Sequence, residues 1–292
     1  MGKDNISNVS LLALKISQAA NLGMLYDICT SPSPGLVSPF SNGAHKDMNF
    51  FTFLKSSVAI LPTMAICAEL GIQEDDNLLS KLRRVGIKAE KEMFAATKGV
   101  NTQKGFLFLG GVVSAAAGSC IRLGKAVNRY NISEECKYIC KGIVERELLN
   151  LSKDQPKTNG ERIYLEYGIT GVRGEVENGL PSVMNVGLPL YEEALSSGLS
   201  INQALSHTLI GLMAVVEDTT VINRCGMEGL KIIRKCANKF MDYGGMYTEK
   251  GRKYIKEMEL DFINKNISPG GCADILAVTV MIKKLEEDFI NL

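Results

Sequence analysis

The chain has 292 residues, 46% of them apolar and 22% charged, an ordinary balance for a globular protein with room for a large core. Thirty-three Lys and Arg against 32 Asp and Glu leave a formal charge of +1, which argues against a dedicated nucleic-acid surface but leaves room for a local phosphate pocket. Eight cysteines form no CxxC pair and only two histidines could join them, so free thiols in a reducing cytoplasm are expected rather than a zinc site.

The N-terminus carries Lys3 but no apolar run ending in a small-residue cleavage site, so no signal peptide is expected. Ser10 reads as the N-cap of a first helix with apolar residues at 11, 12, 14, 16, 19, 22, 25 and 28. A loop follows over Ser31–Phe53, holding three of the eight prolines, Gly35, Gly43 and His45. Prolines fix φ and push the preceding residue out of the α region, so this loop should be irregular and rigid. A second helix is expected from Thr52 to Leu70 with Gly71 as its stop, and a third, capped by Asp75 or Asp76, through Leu78, Leu82, Val85, Ala89 and Met93. The loop Lys98–Gly105 then opens into the apolar run Phe106–Gly118, whose 13 residues suit a buried helix rather than a membrane span.

Asn131 should start a helix reaching about Leu151, and Ser152–Asn159 reads as a surface loop, the natural place for mobility. Beyond Glu161–Tyr167 lies a second glycine-rich loop, Gly168–Pro181. Further helices are expected over 182–196, 201–217, 225–241, 248–264 and 272–285. No alternating β-branched stretch of strand length occurs, so the expected fold is all-α, one domain of about ten helices spanning residues 1–292.

Glycine-bearing polar loops recur beside helices at 41–48, 98–105, 168–179, 218–226 and 267–274, and together they suggest one composite polar site. His45 and Asp47 can converge only if their loop holds them, as a base or a metal or phosphate site; a capping aspartate beside a chance histidine is the plain alternative. Asn101 and Lys104 stand at a helix N-terminus, a natural phosphate seat, although neither GxxxxGK[ST] nor GxGxxG is present. Arg173 could grip phosphate and Glu175 bind Mg²⁺, or the two could be a surface ion pair. Asp218 and Arg224 bracket a segment leaving an apolar helix. Ser268, Gly270 and Gly271 read as a turn exposing backbone donors, with Asp274 in the next helical turn, and His207 reads as a structural histidine.

Taken together, SPSPGLV at 31–37, GAHKDM at 43–48, Thr52–Ser56, Glu90, GVNTQKG at 99–105, GVRGE at 171–175, Pro181, Asp218 through Gly226 and SPGGCADILA at 268–277 resemble the triphosphoribosyl-dephospho-coenzyme A synthase family, which serves citrate lyase and malonate decarboxylase. The resemblance covers nearly the whole chain, with the motifs in the family's order. It implies a cytoplasmic all-α enzyme that moves the triphosphoribosyl group of ATP to the ribose 2′-hydroxyl of 3′-dephospho-CoA and releases adenine. The product would pass to a separate transferase that loads an acyl carrier protein, with no nucleic-acid or membrane partner; a homodimer is left open. ATP is then a glycosyl donor, which accounts for the missing P-loop.

On this reading His45 or Asp47 activates the hydroxyl, and Asp47, Glu175 and Asp218 are the expected Mg²⁺ ligands and catalytic carboxylates. Asn101, Lys104, Arg173 and Arg224 meet phosphate, as do Ser268, Gly270, Gly271 and Asp274. Three departures from the family pattern stand out: Gln103 for histidine, Ser38 for aspartate and Cys225 for glycine. They motivate two alternatives, a divergent member with another alcohol acceptor and a nucleotide-binding homologue without turnover.

Overall fold

The computed structural model describes residues 9–73, 76–149, 151 and 156–290. These form twelve α-helices, with no strand among the described residues. The all-α expectation holds.

The first half is built around α4 (Lys104–Arg122), fourteen of whose residues are buried. α1 (Leu11–Cys29) and α2 (Phe50–Gln73) pack on it, with α3 (Leu78–Ala96) outside α2 and α5 (Arg129–Cys140) on the far flank. The second half comprises α6 (Asn159–Tyr167), α7 (Gly171–Glu177), α8 (Leu188–Ser196), α9 (Ile201–Val215), α10 (Thr219–Asp242) and α11 (Glu249–Asn264). α12 (Gly270–Asp288) lies against α1, α4 and α9 and so joins the two halves through one continuous apolar core.

Caps mark several helix starts as the sequence suggests. The Ser10 hydroxyl accepts from the Ala13 N–H at 3.2 Å, and Ser200 and Gln203 form a reciprocal capping box. α2 and α4 are each long and apolar enough to cross a membrane by length and composition alone. Here they pack along one another more extensively than any other pair; the apolar stretch of α4 is mostly buried, whereas that of α2 leaves residues such as Phe51 and Val58 exposed.

Several expected boundaries move. α2 does not stop at Gly71, because a Cβ there would lie 2.0 Å from the Ala115 carbonyl oxygen: the glycine serves close helix approach, not termination. α3 is preceded by Asn77 in the left-handed region, and Asp75 lies outside the described residues. α5 starts after Asn128, whose side chain accepts from the Asn131 N–H, and it ends at Cys140 rather than near Leu151. Beyond Gly142, with φ of 72°, a separate π-turn occupies Glu145–Leu149. Residues 152–155 of the expected 152–159 surface loop lie outside the described residues, and Thr158 caps α6, which starts at Asn159. The glycine-rich 168–181 stretch contains α7, and residues 219–226 form the first turns of α10, which kinks at Gly226.

Candidate active site

A pocket of about 750 Å³ opens where the last turn of α1, the 36–48 loop and the starts of α4, α10 and α12 meet. Four of the five polar loops reach it, contributing His45 and Met48, Asn101–Gly105, Thr220, and Ser268 to Asp274. The fifth, 168–179, lines a neighbouring cavity with Glu217, Thr219 and Gly271. Three helix N-termini thus surround one space. Each brings the positive end of its dipole to the pocket, an arrangement suited to a polyanion.

The 36–48 loop is held from behind. Arg224 Nη2 donates to the Ala44 carbonyl at 2.6 Å and its Nε to the Asn266 carbonyl at 3.1 Å, which ties the loop to the turn before α12. Ser38, where the family pattern has aspartate, accepts from the Phe40 N–H through its hydroxyl, a turn-closing task that aspartate also performs. His45 is thereby delivered to Ser268, its Nε2 lying 2.8 Å from the buried hydroxyl. Its Nδ1 faces Asp47 at 3.6 Å, within reach of charge but beyond a hydrogen bond, and Asp47 is itself 61% exposed. Burial first, and then the charge of Arg224, hold the His45 pKa below the usual histidine value against the opposing pull of Asp47.

On the pocket floor Asp274 reaches α4. A Cβ at Gly105 would lie 1.9 Å from Asp274 Oδ2, and the Phe106 N–H donates to this carboxylate. Asp27, from the last turn of α1, lines the same space. Each keeps some surface on the pocket while protein encloses the rest. Burial pushes Asp27 up to about 7, and burial together with the charges of Asp27 and Asp218 raises Asp274 well above the usual carboxylate range. Among the described residues no Lys or Arg pairs with either.

Asp27 is the residue that the sequence reading passes over, as a polar position in an apolar helix. One signal was available: it is the only acid in α1 and sits in the last turn, where the helix dipole disfavours negative charge. Such a placement asks for compensation from outside the helix.

The expected metal ligands Asp47, Glu175 and Asp218 do not converge, and no group of three or more metal-ligating side chains occurs among the described residues. Glu175 accepts from the Ser182 N–H and hydroxyl at 2.8 and 2.9 Å and lines the neighbouring cavity. Asp218 is fully buried and accepts from the N–H groups of Thr220, Val221 and Cys272 at 2.9, 3.0 and 2.8 Å, binding the starts of α10 and α12 together. Its oxygens are spent on the fold. Asp218→Ala should therefore lower stability by about 2–4 kcal/mol, from a lost cap and buried donors left unpaired. Asp218→Asn, which keeps one acceptor, should lose less; urea unfolding of both variants checks the order.

Arg173 is likewise drawn elsewhere, 2.7 Å from Glu147, which also pairs with Arg83. Lys104 and Asn101 do line the pocket, Lys104 with its Nζ 2.6 Å from Glu90. Gly270 lines it too. Gln103 is buried at the start of α4 and donates to the Ser57 hydroxyl at 3.0 Å, beside a Thr102–Ser56 bond of 2.6 Å, so this segment is fastened to α2. His207 is buried beside Phe240 and Tyr247, a structural position as expected.

Comparison with known proteins gives a consistent family. The model of the family described as CitG, ATP:dephospho-CoA triphosphoribosyl transferase, matches residues 13–291. The chain is 38% identical over 286 residues to a probable 2-(5''-triphosphoribosyl)-3'-dephosphocoenzyme-A synthase of Malonomonas rubra, covering 96% of this chain and 90% of that protein. It is 37% identical over 292 residues to the protein of the same description from Photobacterium profundum, covering 98% and 91%. To Protein CitXG of Leuconostoc mesenteroides subsp. cremoris it is 39% identical over 280 residues, 93% of this chain but 59% of that longer protein. No solved structure matches the chain.

Proposed function

This chain belongs to the CitG family, ATP:dephospho-CoA triphosphoribosyl transferase, and we propose that the pocket at the starts of α4, α10 and α12 is where it works. The enzyme transfers the triphosphoribosyl group of ATP to 3′-dephospho-CoA. The observation that carries the placement is the convergence of four separate polar loops on one pocket.

In our reading the acceptor's ribose 2′-hydroxyl attacks C1′ of the ATP ribose. The new O–C1′ bond forms as the C1′–N bond to adenine breaks, and the base departs with the bonding electrons and is then protonated. His45 takes the proton of the attacking hydroxyl, since a histidine held neutral by its surroundings is a competent base near pH 7. Ser268 holds its ring and Arg224 holds its loop. Lys104 and the three helix N-termini take up the charge of the triphosphate. Gln103 does not titrate near neutrality, so the base function rests on His45.

Asp27 and Asp274 are the carboxylates whose chemistry fits Mg²⁺: two oxygen donors facing a phosphate-sized space without a basic partner, whose raised pKa values a bound cation would draw down. Mg²⁺ is commonly held by one or two carboxylates together with substrate phosphates. Bound there, the ion would neutralise triphosphate charge and orient the donor. We further assign the reaction to the cytoplasm, with the product handed to a separate transferase that loads the carrier protein.

Incubation with Mg²⁺, ATP and 3′-dephospho-CoA should release free adenine, and omitting dephospho-CoA should stop it. ATP bound without adenine release would overturn the reading in favour of a homologue that has lost turnover. A pH profile tests the base. Neutral imidazole is the active form and its pKa lies below the usual value of about 6.5, so at saturating Mg²⁺, which keeps Asp27 and Asp274 ionised, kcat/KM should stay level down to about pH 6.5 and fall only at lower pH. His45→Gln should cost about 10²–10⁴-fold and remove that acid limb. An acid limb surviving in the variant would assign it to another group.

A further inference from the structure

A groove enclosing about 570 Å³ of space, its open mouth included, runs between α3 and α4 and shares Lys104 with the reaction pocket. Its walls are mainly apolar, with Leu82 and Ile87 from α3 and Leu107, Phe108 and Val112 from α4. Two glycines line it with room to spare: a Cβ at Gly86 would meet nothing within 4 Å, and one at Gly111 would touch only Cys67 Sγ at 3.4 Å. Gly86 lies in the middle of α3, where alanine would favour the helix by about 1 kcal/mol. Helix formation therefore does not account for the glycine. At the rim Ile87 is 58% exposed, apolar surface with little to cover it.

We infer that this groove receives the pantetheine arm of the acceptor, an inference that rests on the reaction proposed above and extends it. Dephospho-CoA has three chemically distinct parts: an adenosine whose ribose hydroxyl reacts, a diphosphate, and a flexible, weakly polar arm. With the reacting ribose at His45, the arm must leave the pocket by way of the diphosphate. The groove offers Lys104 at its junction with the pocket, paired there with Glu90 at 2.6 Å, a second cation, Arg83, in its lining, and apolar walls beyond. The neighbouring cavity at α7 and α9 does not. It is lined by Glu175 and Glu217 with no Lys or Arg among its lining residues, and would repel a diphosphate at its mouth.

Gly86→Phe fills the groove from one wall, and Gly86→Ala is the control that improves the helix while leaving the groove open. At saturating ATP the Phe variant should raise the KM for dephospho-CoA at least tenfold and leave the KM for ATP within twofold of wild type; the Ala variant should change neither. In the wild type, 4′-phosphopantetheine, which carries the arm but no ribose, should compete with dephospho-CoA and not with ATP. The Phe variant should lose at least tenfold of that inhibition, and its melting temperature should match or exceed wild type. A Phe variant with unchanged KM for dephospho-CoA and unchanged inhibition overturns the groove assignment alone. Wild-type protein that releases no adenine at all overturns the reaction and this inference with it, a separate result.

Discussion

Asp274→Asn should lower adenine release by at least about a hundredfold, or about 2.7 kcal/mol in the barrier, while leaving the protein folded. The argument turns on what asparagine keeps and what it loses. Asp274 accepts the Phe106 N–H at the start of α4, and the asparagine carbonyl can still do so. What disappears is one of two enclosed carboxyls able to ionise against a bound cation, the other being Asp27. No cationic side chain pairs with either carboxyl among the described residues and burial favours their protonated forms, so a bound cation is what would hold both ionised. Asp27→Asn should behave the same way. Both variants should bind Mg²⁺–ATP at least tenfold more weakly by calorimetry and should melt at or above the wild-type temperature, since each relieves a buried charge. Near-normal turnover in either variant would exclude that carboxylate from the site.

Gly105→Ala tests the same carboxylate from the opposite side. A methyl group there would lie 1.9 Å from Asp274 Oδ2 and 2.9 Å from Cγ, closer than any real contact, so the carboxylate or the start of α4 must shift. Overpacking of this kind costs about 1–3 kcal/mol, against about 1 kcal/mol regained from helix propensity. The protein should fold and lose at least tenfold in activity, because catalytic geometry is sensitive to displacements of about an ångström. A double-mutant cycle makes the cause specific. With Asp274→Ala in the background the clash is gone, so adding Gly105→Ala should change neither activity nor stability for the worse. Additive losses would show that Gly105 acts independently of Asp274.

The Gly71 result bears on how such positions are read. At both Gly71 and Gly105 the sequence offers a glycine next to an apolar run, and local reasoning assigns it to a helix end or a phosphate loop. The structure gives each a steric partner distant in sequence, Ala115 for one and Asp274 for the other. Glu175 and Asp218 show the same limit for carboxylates. Their motifs mark them as special, yet the oxygens of Asp218 and Glu175 are occupied by nearby donors of the fold. Arg224, expected at a phosphate, instead fastens the histidine loop through two backbone carbonyls. Asp27 lies outside every recognised motif and lines the pocket only because α1 ends beside α12.

From the sequence by itself follow the all-α class, the family, and the polar loops to which we assign the chemistry, because helical periodicity, caps and unusual motifs are local properties of the chain. The division of labour among those loops was decided by tertiary structure. Whether a carboxylate faces a substrate or an amide depends on which helix start packs beside it, and that is set by contacts between residues far apart in sequence. Packing of α12 against α1 and α4 places Asp27 and Asp274 on one pocket, and the same packing commits Asp218 to the fold.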